Sequence, residues 1–128
     1  MRKLILILLV VFLLTACGQA KENDRGVVYV NITAEEAKQI MDTEEGYIIL
    51  DVRTQEEYDQ GHIPGAILIP NTEITAEAEK VLTDKDQLIL VYCRSGRRSK
   101  LAAVTLAQLG YTNVKEFGGI IDWPYETE

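Results

Sequence analysis

The sequence predicts a single α/β domain with a central, mostly parallel sheet flanked by helices. Two segments, Tyr47–Val52 and Gln87–Tyr92, are almost wholly apolar, as expected of strands that are buried on both faces. Segments with helical spacing alternate with strand-like segments, and this order is typical of parallel sheets. The chain has 128 residues, 47% of them hydrophobic, which is enough for one domain.

The first strand and helix of the domain are predicted from composition and a capping pattern. Val27–Ile32 is rich in β-branched and aromatic residues and predicts a strand. Thr33 and Glu36 have the spacing of a capping box, so a short helix is expected to run to about Met41.

The next unit repeats this pattern after the apolar strand at residues 47–52. Thr54 and Glu57 form a second capping-box pattern, which predicts a short helix through Tyr58. Turn-forming residues follow at Gly61–Gly65, and a short strand is expected at Ala66–Ile69.

The second half of the domain contains two predicted helices and two predicted strands. Thr72–Leu82 and Ser99–Leu109 have apolar residues at helical spacing. The strand at residues 87–92 lies between these helices, and Val114–Phe117 is expected to form the last strand before the pair Gly118-Gly119. Ligands of such sheets bind beyond the carboxyl ends of the strands, where Asp51 and Cys93 both fall.

The N-terminal residues are expected to lie outside the domain. Arg2 and Lys3 precede an apolar run of 11 residues, which is shorter than a membrane span needs and is typical of a secretory signal. Leu14-Thr15-Ala16-Cys17 resembles the lipobox of bacterial lipoproteins, and this resemblance implies cleavage before Cys17 and lipid attached to it. The alternative is a plain signal peptide with an incidental cysteine.

These features predict three parts of the chain. Residues 1–16 are expected to be a lipoprotein signal peptide, and residues 17–26 to be the lipidated Cys17 and a flexible polar tether. Residues 27–125 form the domain. The protein is therefore expected in the cell envelope, held on a membrane through the lipid and facing outside the cytoplasm. The formal net charge of −7 argues against nucleic acid as a partner.

The segment Cys93–Ser99 (CRSGRRS) has the chemistry of an anion site. It lies between a buried strand and a helix, where backbone N–H groups lack partners and the helix dipole favours negative charge. Gly96 permits a tight curve, and three arginines surround it in an acidic protein. Such surroundings favour an ionised thiol, so Cys93 is predicted to be a reactive thiolate rather than an inert, buried cysteine.

Four segments together resemble the rhodanese family of sulfurtransferases across residues 27–123. They are Asp51-Val52-Arg53, Gly61-His62-Ile63-Pro64-Gly65-Ala66, the Cys93–Ser99 segment, and Gly118-Gly119 followed by Trp123. The resemblance implies a single-domain, rhodanese-like three-layer fold. It also implies that sulfane sulfur moves from a small anionic donor such as thiosulfate to cyanide or a thiol.

By this resemblance, Cys93 is the nucleophile that carries the sulfur as a persulfide. The backbone amides of the following residues would cradle the persulfide, and Arg94 and Arg97 would orient the donor. The expected substrate-binding residues are Arg94, Ser95, Gly96, Arg97 and Arg98.

Other residues have two interpretations or a structural one. Asp51 either braces the cysteine segment or ends a strand, and Arg53 either lies at the pocket rim or forms a structural ion pair. His62 is expected to be a turn residue, because Gly61, Pro64 and Gly65 mark a tight turn. Tyr92 and Trp123 are expected to pack in the core.

Two other functions remain open from the residues. A cysteine phosphatase or arsenate reductase would need arginine six residues after the cysteine, but that residue is Ser99, and Arg98 comes one position early. A non-catalytic sulfur carrier or a redox-sensitive binding module would use the same Cys93. Two cysteines and one histidine cannot supply a tetrahedral zinc site, and no metal or organic cofactor is implied.

Overall fold

The computed structural model describes residues 19–22 and 28–128. The strands are β1 (Gln19–Glu22), β2 (Val28–Asn31), β3 (Ile48–Asp51), β4 (Ile67–Leu68), β5 (Ile89–Cys93) and β6 (Val114–Gly119). The helices are α1 (Ala34–Thr43), α2 (Gln55–Gln60), α3 (Ile74–Val81) and α4 (Arg97–Gln108). Single 3₁₀ turns lie at Asn71–Glu73 and Ile120–Asp122.

The strands form one sheet in the order β1-β2-β6-β5-β3-β4. The five strands from β2 to β4 are all parallel, and β1 pairs antiparallel with β2 at the edge. This confirms the predicted α/β class with a central parallel sheet. Strand β5 lies between β6 and β3, and all five of its residues are buried.

Both predicted capping boxes are present. Thr33 accepts a hydrogen bond from the backbone of Glu36 before α1, and Thr54 does the same with Glu57 before α2. In each case the glutamate carboxylate also accepts a hydrogen bond from the backbone N–H of the threonine, so two otherwise unpaired N–H groups are satisfied. The helix predicted from Thr72 begins instead as a 3₁₀ turn and becomes α-helical at Ile74.

Alternation along β5 divides the core between the two faces of the sheet. Ile89, Val91 and Cys93 belong to a cluster that includes residues of α3 and α4. Leu90 and Tyr92 belong to a second cluster, which includes Ala37 of α1, Phe117 and Trp123. The side chains of Tyr92 and Cys93 therefore pack on opposite faces of the sheet, and Cys93 lies on the same face as α4.

The predicted signal peptide at residues 1–16 and the predicted lipidation site Cys17 lie outside the described residues. Within the predicted tether, Gln19–Glu22 forms β1 and pairs with β2. Among the described residues, no helix has the length and apolar character needed to cross a bilayer.

Candidate active site

The site is built where β5 meets α4. Cys93 is the last residue of β5, and Arg97 is the first residue of α4. The three residues between them, Arg94–Gly96, are here called the cysteine loop. Gly96 has φ +101°, a left-handed conformation that favours glycine, and it caps α4 without a side-chain hydrogen bond. Unlike α1 and α2, helix α4 thus has no capping side chain on its first N–H groups.

Within the part of the chain that the structure describes, the sulfur of Cys93 has two polar neighbours. The backbone N–H of Gly96 donates to Sγ at 3.0 Å, and Ser99 Oγ lies 3.3 Å from Sγ. Cys93 is only 1% exposed. The sequence predicts a cradle built from the amides of Arg94 to Arg98. Within the cysteine loop, the amide that donates to the sulfur is that of Gly96.

The three arginines after Cys93 lie in different surroundings. Arg94 is exposed and lines a cleft of about 520 Å³ together with Arg53, Gly61 and Ile121. Arg97 is exposed at the start of α4. The lining of that cleft also includes Glu57 but not Cys93.

Arg98 is committed to an ion pair with α2. Its two terminal nitrogens donate to the two carboxylate oxygens of Glu57 at 2.7 and 2.9 Å. These hydrogen bonds are the main reason why the pKa of Glu57 falls from 4.5 to about 2, although partial burial opposes the shift. The pair joins α2 to the first turn of α4 beside the cysteine loop.

Asp51 and Arg53 form a buried ion pair at the end of β3. The Arg53 side chain donates to both carboxylate oxygens at 2.7 to 3.0 Å, and its backbone N–H donates to Oδ1 at 2.9 Å. Arg53 also donates to the carbonyl of Gly61 at 2.7 Å. The pair is therefore structural in its contacts, while Arg53 also lines the cleft.

Tyr92 extends this network to the residue before Cys93. Its hydroxyl donates to Asp51 Oδ2 at 2.7 Å and accepts from the N–H of Ile63 at 3.1 Å. Burial, followed by the hydrogen bond to Asp51, raises the pKa of Tyr92. The side chain packs in the core as expected, and it also ties β5 to β3 and to the turn at residues 61–65.

His62 lies directly before the hydrogen-bonded turn at Ile63–Ala66, within the segment predicted to turn. Its ring stacks on Tyr58 with centroids 3.8 Å apart, and Nδ1 lies 3.0 Å from the Tyr58 carbonyl oxygen. Nε2 faces the carboxylate of Glu128 at 3.4 Å. These contacts account for His62 without a pairing with Cys93.

Sequence reasoning missed Glu116, which lies behind the cysteine. This residue of β6 is completely buried, and its carboxylate contacts the hydroxyl of Ser99, the neighbour of Cys93. A signal was available: an acidic residue inside a predicted strand of an α/β sheet is unusual, because such strands are buried on both faces.

Comparison with known proteins agrees with the geometry. Residues 33–124 match the rhodanese-like domain family. The chain belongs to this family. It is 41% identical over 73 residues to the thiosulfate sulfurtransferase PspE of Escherichia coli K12, covering 57% of this chain and 70% of PspE.

Two further similarities extend this result. YrkF of Bacillus subtilis, named as a candidate sulfur carrier protein, is 41% identical over 98 residues. The match covers 76% of this chain and 52% of YrkF, so the chain spans about half the length of that relative. A solved rhodanese from E. coli aligns with a TM-score of 0.60 and 36% identity, covering 64% of this chain and 96% of that one.

Proposed function

We propose that this rhodanese-like chain transfers sulfane sulfur through a persulfide on Cys93, with thiosulfate as a donor and cyanide or a thiol as the acceptor. The observation that carries the proposal is the position of the sulfur. Sγ lies at the uncapped N-terminus of α4 and accepts a hydrogen bond from Gly96. Negative charge on this sulfur is favoured by the amide and by the helix dipole.

The chemistry consists of two displacements. Cys93 Sγ attacks the outer sulfur of thiosulfate, the bond between the two thiosulfate sulfurs breaks, and sulfite leaves with the electron pair. A thiolate or cyanide then attacks the outer sulfur of the persulfide, and Cys93 leaves as a thiolate. Arg94 is exposed and lines the cleft, and its positive charge favours an anionic donor.

Intact-mass spectrometry of the full chain before and after thiosulfate tests the proposal. Wild type should gain the mass of one sulfur atom. The Cys93→Ser variant should gain none, and the matched Cys17→Ser variant should gain as much as wild type. If wild type gains no sulfur, thiosulfate is not the donor.

A sulfur carrier is a second candidate, favoured by the likeness to YrkF. A carrier loads sulfur on the same cysteine but releases it only to a specific protein. Steady-state turnover with thiosulfate and cyanide separates the two functions, because an enzyme cycles many times and a carrier stops after one sulfur. Hydrolysis of a phosphate ester is disfavoured, because Arg98 is already held in two hydrogen bonds by Glu57.

The place of the protein in the cell is a further part of the proposal. We infer from residues 1–17 that Cys17 carries lipid and holds the domain on a membrane outside the cytoplasm. When the full chain is expressed in a bacterium, wild type should partition into a detergent phase. The Cys17→Ser variant should remain in the aqueous phase, and equal partitioning of the two would contradict the inference.

A further inference from the structure

Glu116 is a buried carboxylate, and its side-chain partners among the described residues are all neutral donors. Oε1 accepts from Ser99 Oγ at 2.7 Å and from the N–H of Gly118 at 2.8 Å. Oε2 accepts from Asn31 Nδ2 at 2.5 Å. No cation pairs with Glu116 among the ion pairs of the described residues. Because burying a carboxylate without a counter-ion is costly, a residue that only filled this space would not need to be acidic.

Ser99 connects this carboxylate to the sulfur of Cys93. Its Oγ lies 2.7 Å from Glu116 Oε1 and 3.3 Å from Cys93 Sγ. A hydroxyl group has one proton and two lone pairs. When Ser99 donates to Glu116, the contact with Sγ is one in which Oγ accepts the thiol proton. When the thiol proton has left, the Ser99 hydroxyl can turn and donate to the sulfur.

We propose that Glu116 is a positioning residue that takes up, through Ser99, the proton of the Cys93 thiol, so that the sulfur becomes nucleophilic inside a buried site. The inference rests on the proposed sulfur transfer and deepens it. Cys93 is 1% exposed, so a proton acceptor within the protein replaces solvent water as the destination of the proton.

In the first step, protons and charge balance among Cys93, Ser99, Glu116 and thiosulfate. The thiol proton moves to Ser99 Oγ while the Ser99 proton moves to Glu116. Sγ bonds to the outer sulfur of thiosulfate, and sulfite leaves with the electron pair. The products are an anionic persulfide, a sulfite dianion and a neutral Glu116, which carry the same total charge as the reactants. After the acceptor removes the sulfur, the Cys93 thiolate recovers the proton from Glu116.

The other polar and titratable groups near Cys93, Ser99 and Glu116 do not take up the thiol proton. Tyr29 faces Glu116 from β2, and burial, followed by the charge of Glu116, raises its pKa, so it stays neutral and cannot take the proton. Arg98 lies near Cys93 but is paired with Glu57. Asn31 and Gly118 hold the carboxylate without titrating.

The test is the pH dependence of alkylation of Cys93 by iodoacetamide, which requires no sulfur donor. Each variant is made on Cys17→Ser, so that a single thiol reacts. Glu116→Gln keeps the shape of the side chain but cannot take a proton. It should react about 10²-fold more slowly than the parent at pH 6, with the difference closing at alkaline pH. Lys115→Gln, on the same strand, should match the parent.

Ser99→Ala provides the second arm, because it leaves the carboxylate in place and removes the bridge. It should slow alkylation at pH 6 as much as Glu116→Gln does, and the double variant should be no slower than either single variant, as expected of two groups that act as one unit. If Glu116→Gln does not fold, Ser99→Ala alone decides.

Two outcomes would overturn the inference. An unchanged pH profile in the variants would mean that Glu116 is only structural. Faster alkylation of Glu116→Gln at pH 6 would mean that the carboxylate merely opposes negative charge on the sulfur. If wild type alkylates as expected but gains no sulfur from thiosulfate, the relay stands and the proposed donor fails.

Discussion

Gly119 of β6 lies directly against the carbonyl group of Arg94 in the cysteine loop. A β-carbon at position 119 would overlap the carbonyl carbon and oxygen of Arg94 and the α-carbon of Ser95, all of which are backbone atoms. The 3₁₀ turn that follows β6 contacts the same carbonyl group, because the N–H of Ile121 donates a hydrogen bond to it at 3.2 Å. The second glycine of the Gly118-Gly119 pair therefore allows β6 to hold the loop that follows Cys93.

Replacing Gly119 with alanine is expected to displace the cysteine loop. Backbone cannot move aside as a flexible side chain can, so the overlap should cost about 1–3 kcal/mol of folding free energy and misplace the Gly96 amide. We expect sulfur loading of Cys93 by thiosulfate to fall by more than the loss of stability explains, measured by intact mass against time alongside urea unfolding.

Gly46→Ala is the matched control for this variant. Gly46 has φ +74° and open space around it, so alanine there costs about 1–2 kcal/mol through backbone strain without touching the site. It should load sulfur at the wild-type rate. Normal loading by Gly119→Ala would show that the close approach to Arg94 is not needed.

Local signals explain why most of the fold was predictable. The capping boxes at Thr33 and Thr54 and the apolar runs of β3 and β5 depend on residues near in sequence, and all four appear in the structure. Strand β1 was not predicted, because QAKE has no apolar alternation. It forms by backbone pairing with the edge of β2, which leaves little trace in side-chain composition.

In the site, too, some features follow from adjacent residues and others depend on contacts between residues far apart in sequence. The position of Cys93 at a strand end and the left-handed Gly96 follow from adjacent residues. The pair Arg98–Glu57 joins residues 41 positions apart, and the contact between Ser99 and Glu116 joins residues 17 positions apart. Tertiary packing alone brings such side chains together, so no spacing rule could identify them.

The Glu57–Arg98 pair should make the free energy of unfolding depend on pH in the acidic range. Because the pKa of Glu57 is lowered to about 2, its contribution is complete above its ordinary value of 4.5 and is lost as the pH falls from 4.5 towards 2. Glu57→Gln should cost about 1 kcal/mol at pH 7, since the pair is partly exposed. Urea unfolding at several pH values should show the difference from wild type shrinking below pH 4.5.

Glu56→Gln serves as the control, because Glu56 is the exposed neighbour in the same helical turn. Its stability should follow that of wild type across this pH range. If Glu57→Gln and Glu56→Gln behave alike, the ion pair contributes nothing measurable.

Tyr92→Phe should weaken the junction between β3 and β5. The change leaves Asp51 Oδ2 with one donor fewer and the Ile63 N–H without its acceptor, at a cost of about 1–3 kcal/mol. In wild type, the raised pKa of Tyr92 means that stability is lost as the pH rises above 10.0. Urea unfolding from pH 8 to 11 should show a smaller alkaline loss for the variant.

The exposed Tyr125 provides the comparison for this experiment. Tyr125→Phe keeps both buried hydrogen bonds of Tyr92 and should leave the alkaline loss as in wild type. An alkaline loss that persists unchanged in Tyr92→Phe would assign it to the other buried tyrosines, Tyr29 and Tyr111, whose pKa values burial also raises.

Arg94→Ala should weaken capture of an anionic donor more than the chemical step. The Arg94 side chain is exposed and lines the cleft, while its backbone carbonyl holds Ile121 whatever the side chain. We expect KM for thiosulfate to rise about tenfold with little change in kcat, because the charge attracts the donor before reaction. Rates measured at rising ionic strength should converge for variant and wild type, since salt screens the attraction. Lys80→Ala, which removes an exposed cation from α3, should change neither constant. If the rise in KM of Arg94→Ala persists undiminished at high salt, Arg94 instead contacts the donor directly.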